Sequence, residues 1–155
     1  MLELYIPKYN ELWFRKQLLA DSKTMSYNHA YGGTIDFPED RWEDWYSRWI
    51  KNNEGKRFYR YLRNENGDFV GEIAYYPSEN RYIASIIIYS MYRKKGYGKE
   101  GLLLLCDEAK KRGIEYLYDD IAADNQAAIG LFLNAGFCED FKTDEIIMLK
   151  KRLAD

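Results

Sequence analysis

"YRKKGYGKEG", residues 92–101, sets Arg93, Lys94 and Lys95 directly ahead of two glycines two positions apart, Gly96 and Gly98. Lys99 follows, and a leucine run from Leu102 to Leu105 marks a helix predicted from about Gly98 to Arg112, with Gly113 as its stop. Just upstream, "YIASIIIY" at 82–89 is strongly strand-like. A strand that hands over to a helix leaves first-turn N–H groups without intrahelical acceptors. Those groups and the helix dipole favour an anion. Gly96 and Gly98 let an oxygen-rich ligand approach the backbone, and the lysines supply charge. Two readings fit this stretch: a phosphate or diphosphate cradle, or a solvated basic turn. The pattern matches neither the P-loop nor the dinucleotide fingerprint, so the glycines alone do not decide between them.

Working outward, the chain reads as alternating strands and helices. Glu3 to Ile6 is a short strand, Glu11 to Ala20 a helix, and residues 21–40 a loop rich in Ser, Thr, Asn and Gly. A second helix spans about Glu39 to Asn52, with Pro38 fitting its first turn. Its Trp42, Trp45, Tyr46 and Trp49 follow helical spacing and form one aromatic stripe. Lys56 to Arg63 and Phe69 to Tyr76 are strands joined by a turn at "ENG", 65–67. Tyr116 to Ala122 is a further strand, and Asp124 or Asn125 caps a helix through Ala135. Phe137 to Phe141 and Glu145 to Leu153 close the chain as a strand pair. Consecutive hairpins followed by helical crossovers predict an α/β fold with a mixed sheet. No repeat or linker divides the chain, so residues 1–155 are expected to form a single domain.

Composition narrows the function classes. Hydrophobic residues make up 46% of the 155, enough for a real core. A net charge of −2 gives no global reason to expect nucleic acid, so any basic function must be local. One His and two cysteines, Cys106 and Cys138, give little support to a metal site or a disulfide framework, so a reducing compartment is expected. No apolar run approaches the roughly 18 residues of a membrane span, and the first residues lack a signal-peptide layout. A cytoplasmic protein, monomeric or homodimeric, with no nucleic-acid or membrane partner is the expectation.

A second motif lies one strand after the first: "NQAAIGLFLNAGF", residues 125–137. Together, "RKKGYG" at 93–98 and this stretch resemble two motifs of the GNAT superfamily of N-acetyltransferases. The first matches Arg/Gln-x-x-Gly-x-Gly, and the second Asn-x-x-Ala-x-x-Leu-Tyr-x-x-x-Gly-Phe with one change. The element order is similar to that fold as well. The resemblance is specific from about Phe69 to Phe137 and weak before residue 57. It implies a GNAT-like mixed central sheet of about seven strands flanked by about four helices.

The resemblance also implies a function: acetyl transfer from acetyl-CoA, as cosubstrate, to a primary amine by direct attack in a ternary complex. The cofactor arm would lie in a V-shaped gap between strands 82–89 and 116–122, pairing with the backbone of Ile86, Ile87 and Ile88 as an added strand. The pyrophosphate would sit on the amides from Lys94 through Lys99, including those of Lys95, Gly96, Tyr97 and Gly98. Arg93 would brace the loop, and Asn125 would bond the pantetheine arm, cap its helix, or do both. Phe132 stands where the family often carries a Tyr that protonates the leaving thiolate. It has no hydroxyl, so Tyr97 or Tyr118 is a possible substitute and the arm a possible packing partner.

An ammonium with a pKa near ~10.4 must lose a proton before it attacks, so a base is expected. Asp119 and Asp120 interrupt an apolar strand and point to opposite faces. Asp120, five residues before Asn125, is the first candidate, at a place resembling that of a catalytic Glu in some relatives. Glu72 in "GEIAYY" is the second; both have ordinary structural alternatives, a loop or arginine partner for one and a solvent-facing or Arg-paired position for the other. Candidates to meet the acceptor, a small-molecule or peptide amine, are residues 24–33 and Trp42, Trp45 and Trp49, although such a stripe is more often core than pocket, and His29 reads as a structural or pocket-lining residue rather than a base. Two rival functions remain: a non-catalytic acyl-CoA-binding sensor, suggested by Phe132, and a phosphate-binding nucleotide module.

Overall fold

The computed structural model describes residues 1–154. Seven strands form one mixed sheet: β1 (Glu3–Tyr5), β2 (Phe58–Arg63), β3 (Phe69–Ser78), β4 (Arg81–Ile88), β5 (Tyr116–Ala122), β6 (Cys138–Lys142) and β7 (Ile146–Arg152). Their spatial order is β1-β2-β3-β4-β5-β7-β6. Every neighbouring pair is antiparallel except β4 and β5, which run parallel because a helix crosses between them. The α-helices are α1 (Trp13–Ala20), α2 (Trp42–Tyr46), α3 (Tyr97–Lys111) and α4 (Gln126–Asn134). The predicted second helix is three joined pieces: a 3₁₀ turn over Glu39–Arg41, then α2, then a π turn over Ser47–Lys51.

Strand alternation sends side chains into two cores, one on each face. On one face Leu62, Val70, Ile73, Ala84 and Leu117 pack against Leu102, Leu105 and Cys106 of α3 and Phe132 of α4. On the other, Tyr59, Tyr61, Ala74 and Ile87 pack against Phe14 and Leu18 of α1 and Trp42 and Trp45 of α2. The aromatic stripe therefore faces the core, with Trp42 and Trp45 buried and Tyr46 and Trp49 partly exposed. Cys106 is buried and Cys138 exposed, and both are free thiols.

Two glycines set the spacing of these layers. At Gly101 an added Cβ would lie 2.7 Å from Leu62 Cδ1, so α3 rides close on β2. At Gly71 it would collide with the carbonyl oxygen of Ile87, a backbone atom that cannot swing aside. Gly71→Ala should therefore destabilise the fold by about 1–3 kcal/mol, the range for overpacking. Thermal melting checks this; a melting temperature equal to wild type would show that β3 and β4 can shift apart without cost.

Candidate functional site

Among the described residues one pairing joins β4 to β5, Ile83 with Tyr118. Beyond it the two strands part, in the middle of the sheet. The far edge of β4 stays fully paired with β3, from Gly71↔Ile88 to Ser78↔Arg81, which holds Ile86, Ile87 and Ile88 in extended form beside the opening. The carbonyl of Ile88 accepts a bond from Arg93 Nε at 3.2 Å. Arg93 also donates to the carbonyls of Lys23, at 3.3 Å, and Thr24, at 2.7 Å. Its guanidinium is spent on three backbone acceptors.

The chain then turns into α3 through two left-handed residues, Lys94 (φ 62°) and Gly96 (φ 83°). The first amide here to find a protein acceptor is that of Glu100, which bonds the Gly96 carbonyl at 3.2 Å. The N–H groups of Lys94, Lys95, Gly96, Tyr97, Gly98 and Lys99 donate to no described residue. A Cβ on Gly98 would press Leu131 of α4 at 3.3 Å, so this glycine also lets α3 and α4 meet. The side chains of Lys94, Lys95 and Lys99 are exposed around the turn. Bare amides, a helix start and three cations together form a cradle for a phosphate-bearing ligand.

Asn125 caps α4, its Oδ1 accepting the Ala128 N–H at 3.2 Å, which leaves its side-chain NH₂ free. Phe132 is 2% exposed and packs edge-on against Phe137, in the α3–α4 core. Tyr97 packs partly against that core. Tyr118 stacks under the Arg81 guanidinium at 5.3 Å, at the closed end of the gap.

The three carboxylates have different surroundings. Glu72 is buried and pairs with Arg15 of α1, Nη1 to Oε1 2.7 Å. The Arg15 guanidinium lies over Trp45 at 4.6 Å and Phe37 at 5.0 Å, and its Nε has no partner. Such a pair holds α1 on the sheet, and sequence reading missed Arg15 because its partner lies 57 positions away. Asp120 is exposed and, with Tyr118, lies on the α1–α2 face, fixed by the line of pairings Tyr76↔Ile83↔Tyr118. Asp119, on the opposite face with Leu117 and Ile121, is half-buried and has no cationic partner. Burial first, and the Asp120 charge second, push its carboxyl well above the usual range, against a smaller opposing pull from the Asp120 amide. Asp119 directly follows Tyr118, the residue of β5 paired with Ile83, so it stands where the two strands begin to part.

Residues 21–33 cross that opening. On the β4 side, Thr24 Oγ1 accepts the Ser90 amide at 2.9 Å and Asp21 Oδ2 accepts the Ser90 hydroxyl at 2.8 Å. On the β5 side, His29 Nε2 lies 3.3 Å from Asp124 Oδ2. Between these anchors sits Tyr27, whose phenol burial and the charges of Glu72 and Asp119 raise to about 12. Sequence reading gave this stretch as a loop; it contains a 3₁₀ turn, Ser26–Tyr31, ended by Gly32 at φ 96°.

A parted parallel pair inside a mixed sheet, with an anion cradle at the end of one strand, defines an α/β fold that takes a phosphate-bearing ligand in its middle. The profile of the acetyltransferase (GNAT) family matches residues 12–137, and the chain belongs to that family. Among curated proteins it resembles the ribosomal protein bS18-alanine N-acetyltransferase of Escherichia coli K12, 29% identical over 96 residues. That match covers 61% of this chain and 65% of the relative. Among solved structures it resembles the spermidine N-acetyltransferase of Vibrio cholerae, in complex with CoA and spermine (TM-score 0.82, 17% identity, 98% of this chain and 95% of that one). A phosphinothricin acetyltransferase from Sinorhizobium meliloti, in complex with AcCoA, is also similar (TM-score 0.78, 18% identity, 99% and 89% covered).

Two outcomes follow from the carboxylates. Glu72→Gln leaves Arg15 buried without its counter-charge and should cost about 3–5 kcal/mol, read by urea denaturation; a loss below 1 kcal/mol would mean water reaches the pair. Asp119 has a raised folded value, so its proton stabilises the fold below the unfolded value near ~3.9, and that contribution is lost as pH rises through the folded one. Asp119→Asn removes this dependence. Its melting temperature relative to wild type should climb as pH rises above about 4; a difference constant with pH would contradict the burial of this carboxyl.

Proposed function

We propose that the protein is an acetyl-CoA-dependent N-acetyltransferase that passes the acetyl group directly to a primary amine. The observation that carries this reading is the opening between β4 and β5 with six unspent amides, Lys94 to Lys99, at its end. The pyrophosphate takes those amides, with Lys94, Lys95 and Lys99 around it. Each such charge contributes roughly 0.3–1 kcal/mol when exposed, so the cradle works only as a group. The pantetheine arm follows the free edge of β4 at Ile86 and Ile87. Arg93 shapes the loop from behind, and the free NH₂ of Asn125 faces the arm's carbonyls. Phe132 supports the site from the core.

Asp120 is the base of this reaction. It is exposed on the α1–α2 face, where an acceptor enters, while Glu72 is committed to Arg15. Tyr76, Tyr118, Trp49 and Tyr27 stand around that face, and an aromatic wall beside carboxylates suits a cationic amine. Spermine occupies the V. cholerae structure, and the E. coli relative is named for an alanine of ribosomal protein bS18; a small amine is the simpler fit for an opening strapped by residues 21–33. A covalent route lacks a nucleophile, because Cys106 is buried in α3 and Cys138 lies on β6.

Calorimetry should show coenzyme A binding that weakens with salt, and thiol release should appear with at least one amine of a panel including spermidine and an alanine-ended peptide. Asp120→Asn should lower turnover by about 10²–10⁴-fold with cofactor affinity near wild type. Binding without release on any amine would make the protein a sensor, and protection by ATP but not by coenzyme A would make it a nucleotide module.

A further inference from the structure

Acetyl transfer leaves a thiolate that takes up a proton. Phe132 has no hydroxyl. Tyr118 is turned to Arg81 at the closed end. Tyr27 crosses the opening, yet a phenol near 12 would give its proton uphill to a thiolate whose own value is near ~8.5. Tyr97 starts α3 with its ring packed partly into the α3–α4 core, and among the carboxyls one is unused by the reaction as described: Asp119, the neighbour of the base. It lies one residue past the last β4–β5 pairing, is half enclosed on the face of Leu117 and Ile121, and among the described residues feels the charge of Asp120. Strand alternation puts it on the face opposite Asp120, so the two carboxyls flank the seam from its two sides.

We propose that Asp119 is the acid of the reaction: it gives its proton to the departing sulfur while Asp120, across the same strand, takes the proton of the attacking amine. This rests on the acetyl-transfer reading above. The environment is suited to it, since burial and the adjacent charge of Asp120 both favour the protonated form of Asp119. A pair of carboxyls in environments that push them apart divides naturally into acid and base. A carboxyl kept protonated by its surroundings has a proton to give, whereas the Tyr27 phenol would give its own uphill. The steps balance. The ammonium first loses a proton to solvent through Asp120. The neutral amine attacks the thioester carbonyl and the C–N bond forms. As the C–S bond breaks, sulfur takes the Asp119 proton and nitrogen gives its second proton to Asp120. Solvent in the opening then returns that proton from Asp120 to Asp119, leaving an amide, a thiol and two reset carboxyls.

The other titratable groups around Asp119 are Asp120 on its own strand, Tyr76 on β3, and Tyr27 on the crossing segment, with His29 and Asp124 at the rim. None is a cation that would hold Asp119 ionised, save His29 when protonated, which already faces Asp124.

The test uses the whole protein and two readouts. Infrared difference spectra at neutral pH should show a protonated-carboxyl band that Asp119→Asn removes and Asp120→Asn keeps. With an amine that the wild type turns over, Asp119→Asn should lower kcat by about 100-fold, leave coenzyme A affinity near wild type, and flatten the alkaline fall of the rate. Asp119→Glu should restore part of both the rate and that fall. A missing band, or Asp119→Asn with wild-type rate and pH profile, overturns the acid assignment while acetyl transfer stands. A wild type that turns over no amine overturns acetyl transfer, and the acid role with it.

Discussion

The whole arrangement depends on a sheet that is left unfinished in its middle. Strands normally satisfy their backbone groups with each other, and an unpaired buried amide or carbonyl is costly. Here β4 and β5 meet at Ile83 and Tyr118 and then separate. The separation persists because each strand is secured on its outer edge, β4 by eight pairings to β3 and β5 by seven to β7. It also persists because the connection between them is α3, whose close seat on β2 through Gly101 fixes where the crossover begins. An opening made this way is a scaffold feature, so a ligand finds it ready. Little ordering is required at the moment of binding.

Charge is handled on the same plan. The buried face of β3 carries one carboxylate, Glu72, and the structure neutralises it with Arg15 and shields the pair with Trp45 and Phe37. No such partner is given to Asp119 or Asp120. In an otherwise paired interior, carboxyls without counter-charges are costly to keep, and such groups concentrate where chemistry needs them. The contrast between a quenched Glu72 and an unquenched pair on β5 distinguishes these carboxyls by their surroundings more sharply than position in the sequence could.

Sequence legibility followed the same division. The glycine turn and the α4 motif were readable because each depends on local backbone geometry: Gly96 must take a left-handed conformation, and Asn125 must reach Ala128 three residues on. The succession of strands and helices along the chain was readable because period-two patterns and turn residues are local too. What the chain concealed was long-range. Arg15 and Glu72 find each other across 57 positions, and Thr24 and Ser90 across 66. Residues 21–33 therefore looked like a plain loop, although both ends are pinned across the gap. The second helix looked continuous because its aromatic spacing survives the change from 3₁₀ to α to π winding.

Asp119 and Asp120 show how far the simplest rule of strand geometry can carry a mechanism. Successive residues on a strand point to opposite faces. At most places that rule only sorts core from solvent. At the one strand whose neighbour has peeled away, both faces border the same opening, so two adjacent, chemically identical side chains reach it from different media. Asp120 stands toward the exposed α1–α2 side and Asp119 toward the packed α3–α4 side. Burial and the neighbouring charge of Asp120 favour the protonated form of Asp119, which is what the proposed division of roles draws on. No separate hydroxyl has to be built on α4, and a phenylalanine at position 132 can serve the core instead.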